Sequence, residues 1–208
     1  YTADLKPTVM NQGDGTVRVA WPTTWDYDDE TLTYEVLRDN SLTALDSQDA
    51  ASIWWKPQSL GFRDSSAQAG STHQYRIRVS DPAGNSYIGP RSDAITVESG
   101  TPHPLTQALK DAGVVNHYPL NESSGTVVHD FLGFTDADAS ASPGFGAEGI
   151  FAEDSAADFD GQYLSTRGTS AAPDVYSTQI WFKTETKSGG KLIGFGNSRT
   201  GNSSSYDR

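Results

Sequence analysis

Short stretches in which apolar residues occupy every second position restrict this chain more than any other feature. In Thr16–Trp21 they place Val17, Val19 and Trp21 on one face. In Leu32–Arg38 the shared face carries Leu32, Tyr34 and Val36, and in Tyr75–Val79 it carries Tyr75, Ile77 and Val79. Ala94–Val97 closes the set. A period of two is the signature of a strand with one buried face. Between these stretches lie turn-forming runs: Gly13-Asp14-Gly15, Asp39-Asn40 and Asp81-Pro82-Ala83-Gly84-Asn85. About 95 residues of evenly spaced short strands predict a β-sandwich. One helical signal interrupts the pattern. Leu105, Ala108, Leu109 and Ala112 recur at spacings of three and four, and Gly113 follows. They predict a single short helix near 104–112, of about three turns, covering an open sheet edge or end. The expected fold class is all-β.

Composition narrows the possible functions. The 208 residues allow one large domain or two small ones. Fifteen basic residues against 27 acidic ones give a net charge of −12. Without a Lys/Arg cluster, nucleic acid is not an expected partner, because phosphates need nearby positive charge. The chain has no cysteine, which excludes disulfide scaffolds, thiolate zinc sites and cysteine nucleophiles. No run approaches the roughly 18 apolar residues of a spanning helix, so membrane insertion is not expected. The chain begins at Tyr1 without a signal peptide, and a processed or excised piece is expected.

Residues 1–98 resemble a fibronectin type III domain. The resemblance is carried by Trp21 on the second strand, Tyr34 on the third, and Ala69-Gly70-Ser71-Thr72-His73-Gln74-Tyr75 leading into the sixth. It implies that Trp21 sits between the sheets and that Tyr75 forms a tyrosine corner. The Trp-rich Ser52-Ile53-Trp54-Trp55-Lys56-Pro57 departs from the family pattern like an insert. Residues 99–103 read as a linker.

Residues 104–208 are similar to the front of a laminin-G-like, concanavalin-A-like jelly roll. The order matches: a strand at Val115–Leu120, a Glu122-Ser123-Ser124-Gly125-Thr126 turn, and a Phe159-Asp160-Gly161 strand within 157–164. An aromatic strand at Thr178–Thr184 follows, then a Gly-rich hairpin, then Lys191–Gly196. The resemblance implies that Trp181 fills a jelly-roll core. Family domains of about 150–200 residues continue past the position of Arg208. The expectation is therefore a jelly roll truncated at its C-terminal end, with residues 114–208 unstable alone. Its remaining strands would come from a continuation of the chain or from a second polypeptide.

The search for chemistry yields few candidates. There is no phosphate loop, dinucleotide fingerprint or G-x-S-x-G elbow. His73, His103, His117 and His129 stand in no metal-ligand spacing, and structural or solvated roles are expected. With so many serines, any Ser-His-Asp triad drawn from sequence is arbitrary. Asp158 and Asp160 share a strand face, but the resemblance turns Phe159 inward and both carboxylates toward solvent. No facing pair of the kind glycosidases need is expected, and the catalytic set is empty. Asp26-Tyr27-Asp28-Asp29-Glu30 crowds carboxylates into one loop, as a hard cation requires. Asp26, Asp28 and Glu30 are thus the candidate calcium ligands, the plain alternative being a solvated acidic turn. Glu122 or Asp130 with backbone carbonyls is a second candidate. Trp54 and Trp55 are candidate sugar platforms, since a flat ring covers the apolar face of a pyranose. As adjacent strand residues they would point to opposite faces, so that at most one is core while the other is outside. Packing beneath the Pro57 loop is the alternative. Asn121-Glu122-Ser123 and Asn202-Ser203-Ser204 fit the glycosylation sequon, but neither is given weight.

The second segment resembles modules of secreted multidomain actinobacterial proteins, and similar modules occur in tail proteins of their phages. The resemblances imply a non-catalytic adhesion or carbohydrate-binding module pair of a larger extracellular or cell-surface protein, with a glycan or cell-surface ligand as partner. Two alternatives stand beside this. One is a pair of accessory modules of a secreted carbohydrate-active enzyme. The other is a phage tail or surface-filament protein, structural or host-attaching, located in the virion.

Overall fold

The computed structural model describes residues 5–101, 104–151, 154–169, 174–188, 190–199 and 204. His103, part of the 99–103 linker and the sequon at Asn202 lie outside the described residues. The fold is all-β with one helix. Nine strands come first: β1 (Thr8–Asn11), β2 (Val17–Pro22), β3 (Thr31–Arg38), β4 (Asp46–Ala51), β5 (Ser59–Asp64), β6 (Thr72–His73), β7 (Tyr75–Ser80), β8 (Ser86–Ile88) and β9 (Ile95–Thr96). Helix α1 (Pro104–Asp111) follows. Then come β10 (Val127–Val128), β11 (Ala137–Ala139), β12 (Gly144–Glu148), β13 (Ser155–Asp158) and β14 (Leu164–Thr166). Two compact units divide the chain, Tyr1–Thr169 and Ser170–Arg208.

In the first unit, antiparallel sheets β1-β2-β5 and β4-β3-β7-β8 face each other across one core. Val17, Val19 and Trp21 of β2 meet Leu32, Tyr34 and Val36 of β3 and Tyr75, Ile77 and Val79 of β7, all buried. Period-two alternation thus places these side chains as expected. Tyr75 donates its hydroxyl to Asp64 Oδ2 at 2.8 Å, and Arg38 Nη1 approaches the same oxygen at 2.8 Å. Burial would raise the Asp64 carboxyl, but hydrogen bonds from Ser66 and Tyr75 hold it below its ordinary value.

Strand β2 departs from simple alternation. Its outward residues Arg18 and Ala20 are buried as well, because residues 129–136 lie over the far side of the sheet. Arg18 is fully buried and donates from Nη2 to Asp136 Oδ1 at 2.6 Å and from Nε to the Gly133 carbonyl at 2.6 Å. Arg63 donates to the Leu132 carbonyl and to Gln12 Oε1. Both guanidiniums lie over the Phe134 ring, that of Arg18 5.6 Å and that of Arg63 5.1 Å from its centroid. Only a glycine at position 61 admits this ring, since a Cβ there would stand 1.9 Å from Phe134 Cδ1. Asp130 folds the covering loop upon itself by accepting from the amides of His117, Gly133 and Thr135 and from Asn116 Nδ2.

Other expectations for residues 104–208 are corrected. Helix α1 has eight residues, little more than two turns, and its buried residue is Thr106; Leu105, Ala108 and Ala112 are exposed. Val115–Leu120 is not a strand. Asp158 and Asp160 reach solvent as anticipated, but Phe159 is also exposed, because β13 ends at Asp158. In the second unit, residues 178–184 and 191–196 form no strands, and Trp181 is 70% exposed instead of filling a core. Phe182 and Phe195 are exposed with it.

Asp136 offers a quantitative check. Burial would raise its carboxyl, but His129, Arg18 and Thr8 together hold it far below the usual carboxylate range. Its stabilising contribution is therefore present above about pH 4 and lost as pH falls further. Asp136→Asn should cost about 3–5 kcal/mol at neutral pH by stranding Arg18, and should flatten the acid limb of stability. Arg18→Met with Asp136→Leu should cost less. Urea midpoints measured from pH 7 downward test all three statements.

Candidate functional site

The registers of the sandwich bring three connections to one end. Pro22 pairs with Ser59, Thr31 with Ala51, and Thr33 with Ser80. Loops 23–30, 52–58 and 81–85 therefore leave the sheets side by side. The Thr23 amide donates to the Gln58 carbonyl at 2.9 Å, and the Ser52 amide to the Glu30 carbonyl at 2.9 Å. Ser52 Oγ accepts from the Asp26 amide at 2.7 Å and lies 3.1 Å from the Asp26 carbonyl. From inside the core, the Tyr34 hydroxyl accepts from the Thr24 amide at 2.9 Å and donates to the Thr24 carbonyl at 3.1 Å. A core residue thus fixes the root of the first loop.

Both sequence-derived candidates lie on these loops. Trp54 and Trp55 are 66% and 68% exposed. The alternation argument fails because they occupy a turn and not a strand, so both can face outward. Their rings meet edge to face at 5.5 Å. Trp25 and Tyr27 form a second such pair at 4.5 Å, with Tyr27 92% exposed. Neither Trp25 nor Tyr27 was singled out from sequence, although Trp25 precedes the acidic run and Tyr27 lies within it.

Among the described residues, one group of three carboxylates converges: Asp26, Asp28 and Asp29 can bring one oxygen each within 4.8 Å of the others. Glu30, expected as a ligand, is not part of the group, and Asp29 takes its place. The Asp28 carboxyl is pushed up by its hydrogen bond with Asp26 and by the neighbouring charges of Asp26 and Asp81. Asp29 is pushed up by desolvation and by Asp28, Asp81 and Asp26. The like charges of Asp26 and Asp81 add to both shifts, and a cation placed among these carboxylates relieves that part. The second calcium candidate does not assemble: the oxygens of Asp130 face N–H donors, and Glu122 Oε1 accepts from the His129 amide.

A different constellation stands at the opposite end of β3. Ser71 Oγ lies 2.7 Å from His73 Nε2, and His73 Nδ1 lies 2.8 Å from Asp39 Oδ2. Sequence reasoning had dismissed such a triad as arbitrary. Ser71 and His73 are two apart and share a face, which was the available signal. The Ser71 hydroxyl, however, donates to the Gln68 carbonyl at 2.5 Å, so toward His73 it serves as acceptor. The amides of Gly70 and Ser71 are committed to the Val97 and Gln68 carbonyls. Neither is free to receive an oxyanion.

Comparison with known proteins returns no matching family model and no matching curated protein. The described residues contain no helix long and apolar enough to cross a membrane.

Tyr34 supplies a test of how the core holds the site. Tyr34→Phe keeps the ring but leaves the Thr24 amide and carbonyl unpaired, and should cost about 1–3 kcal/mol. The expected readout is a lower denaturant midpoint with an unchanged slope.

Proposed function

We propose that this chain is a non-catalytic binding module whose working surface is the loop end carrying Trp54, Trp55 and Tyr27, and that its ligand is a glycan presented outside the cell or on a cell surface. The observation that carries the reading is the paired exposure of Trp54 and Trp55 on a turn anchored to the neighbouring loop. Exposed aromatic faces are costly to leave wet, and pyranose C–H faces match them. The two-sheet order β1-β2-β5 and β4-β3-β7-β8, with Trp21 between the layers, supports a fibronectin type III assignment for residues 1–98. The jelly-roll assignment for 104–208 has less support, since its later strands are not formed. The non-catalytic reading draws on the solvated Asp158 and Asp160 and on the committed Ser71 hydroxyl.

Affinity electrophoresis through gels containing soluble polysaccharides tests the proposal. Retardation by at least one polysaccharide is expected. Trp54→Ala or Trp55→Ala should each weaken it by roughly tenfold, the loss of about one aromatic contact. Unretarded migration through neutral, acidic and amino polysaccharides alike would sink the reading.

Calcium belongs to the proposal as a weakly held ion. Asp26, Asp28 and Asp29 offer one oxygen each against the six to eight that calcium takes, so affinity falls in the roughly 10⁻⁴–10⁻³ M class. Calcium at about ten times that Kd should stabilise by about 1.4 kcal/mol, raising Tm by a few degrees. EDTA should reverse the rise, and Asp26→Asn with Asp28→Asn should abolish it. A Tm indifferent to calcium leaves a solvated acidic turn.

A further inference from the structure

The loop end joins two properties that a neutral sugar does not use together. Its rings form corners and not a flat strip: the Trp54–Trp55 and Trp25–Tyr27 planes stand at 80° and 85°. Between the turns that carry these pairs run the Asp26–Ser52 hydrogen bonds, and beside them are the carboxylates of Asp26, Asp28 and Asp29. Among the described residues none of the three is ion-paired to a Lys or Arg. Asp81 adds to their field, and Glu30 is exposed next to them. The turn Ser52–Gln58 contributes one cation, the exposed Lys56.

We propose that this loop end, with the exposed rings of Trp54 and Trp55 on one loop and of Tyr27 on the next, binds a free-amine hexosamine polymer, its pyranose faces stacking on the rings and its ammonium groups pairing with Asp26, Asp28 and Asp29. This rests on the carbohydrate-binding reading and names the sugar class. An acidic or uronic glycan would be repelled by the carboxylates, and a neutral one would leave their field unused. A lysine-rich peptide would satisfy the charge, but its ammonium groups sit on flexible stems whose ordering opposes binding. In an amino sugar the charge is fixed to the ring that stacks, so one rigid body satisfies both features. Cation–π attraction to the same rings acts in the same direction.

Titration calorimetry on the full chain in EDTA, which clears calcium from the carboxylates that the ammonium groups would occupy in its place, decides the matter, with circular dichroism to confirm that each variant is folded. The ligands are a β-1,4 glucosamine hexamer, its fully N-acetylated counterpart and hexalysine. The glucosamine hexamer should bind several-fold more tightly than the acetylated one, and the difference should shrink as salt screens the charges. Asp26→Asn, Asp28→Asn and Asp29→Asn together should bring the two sugars to equal affinity. Trp54→Ala with Trp55→Ala should abolish binding of both. Lys56→Gln, which removes an opposing charge from an exposed position, should strengthen glucosamine binding alone. Equal affinity of the unaltered chain for the two sugars overturns the charge inference and leaves the glycan reading intact. Hexalysine binding as tightly as the glucosamine hexamer, and indifferent to the tryptophans, shows charge acting alone and overturns it too. Binding of neither sugar overturns this inference, while retardation by another polysaccharide would still support the glycan reading.

Discussion

A fully buried arginine cannot remain charged inside a protein without a partner, and Arg18 meets that condition through one carboxylate from far along the chain. Asp136 binds Arg18 Nη2, the Asp130 amide and the Thr8 hydroxyl at once. Removing two charges from water costs several kcal/mol each, and the bonds that Arg18 makes to Asp136 and Gly133 offset this only in part, since its Nη1 is buried without a hydrogen-bond partner. The effect of the pair is specification more than net stability. The segment 129–136 can lie on the β1-β2-β5 sheet in the one position where Asp136 meets Arg18, Leu132 and Gly133 present carbonyls to Arg63 and Arg18, and Phe134 enters the gap above Gly61.

This seam explains why the first compact unit runs on to Thr169 and does not stop at the end of the first nine strands. It covers the outer face of a sheet that would otherwise be half-solvated, and the Thr169 amide reaches the Pro57 carbonyl. Pro57 ends the turn that bears Trp54 and Trp55. The turn is thus tied at Ser52 to one loop and, through Pro57, to the segment that follows β14. Rings held in this way lose little freedom when a ligand covers them, which is how a preorganised surface gains affinity.

How much of this was legible in sequence follows from the range of each signal. Alternation is local, and it located the facing residues of β2, β3 and β7 because strand geometry alone sets which side they occupy. It could not show that Arg18 is buried, since that depends on a carboxylate 118 positions away. It misread Trp54 and Trp55 by treating them as strand, although Pro57 nearby is a turn-former. For the acidic loop, composition identified the cluster but not its membership; loop curvature brings in Asp29 where spacing suggested Glu30. Trp181 shows the opposite failure. A period-two pattern states which residues could face a core, and a core also needs a second layer.

The two ends of the sandwich use similar residues for different ends, and the difference lies in whether charge is satisfied. At one end, Asp39 accepts from His73 and from the Gln74 amide, while its carbonyl accepts from Arg76 and Arg91. Its carboxyl is held low despite the opposing effect of burial, as expected for a group with native partners. At the other end, Asp28 is raised by its hydrogen bond with Asp26 and Asp29 by desolvation, and the like charges around both add to the rise. A fold that can neutralise carboxylates with histidine and arginine at one pole leaves them crowded at the other, beside rings it also leaves uncovered. Both features cost stability, and both would be relieved by the same contact, with a ligand that is cationic and has an apolar face.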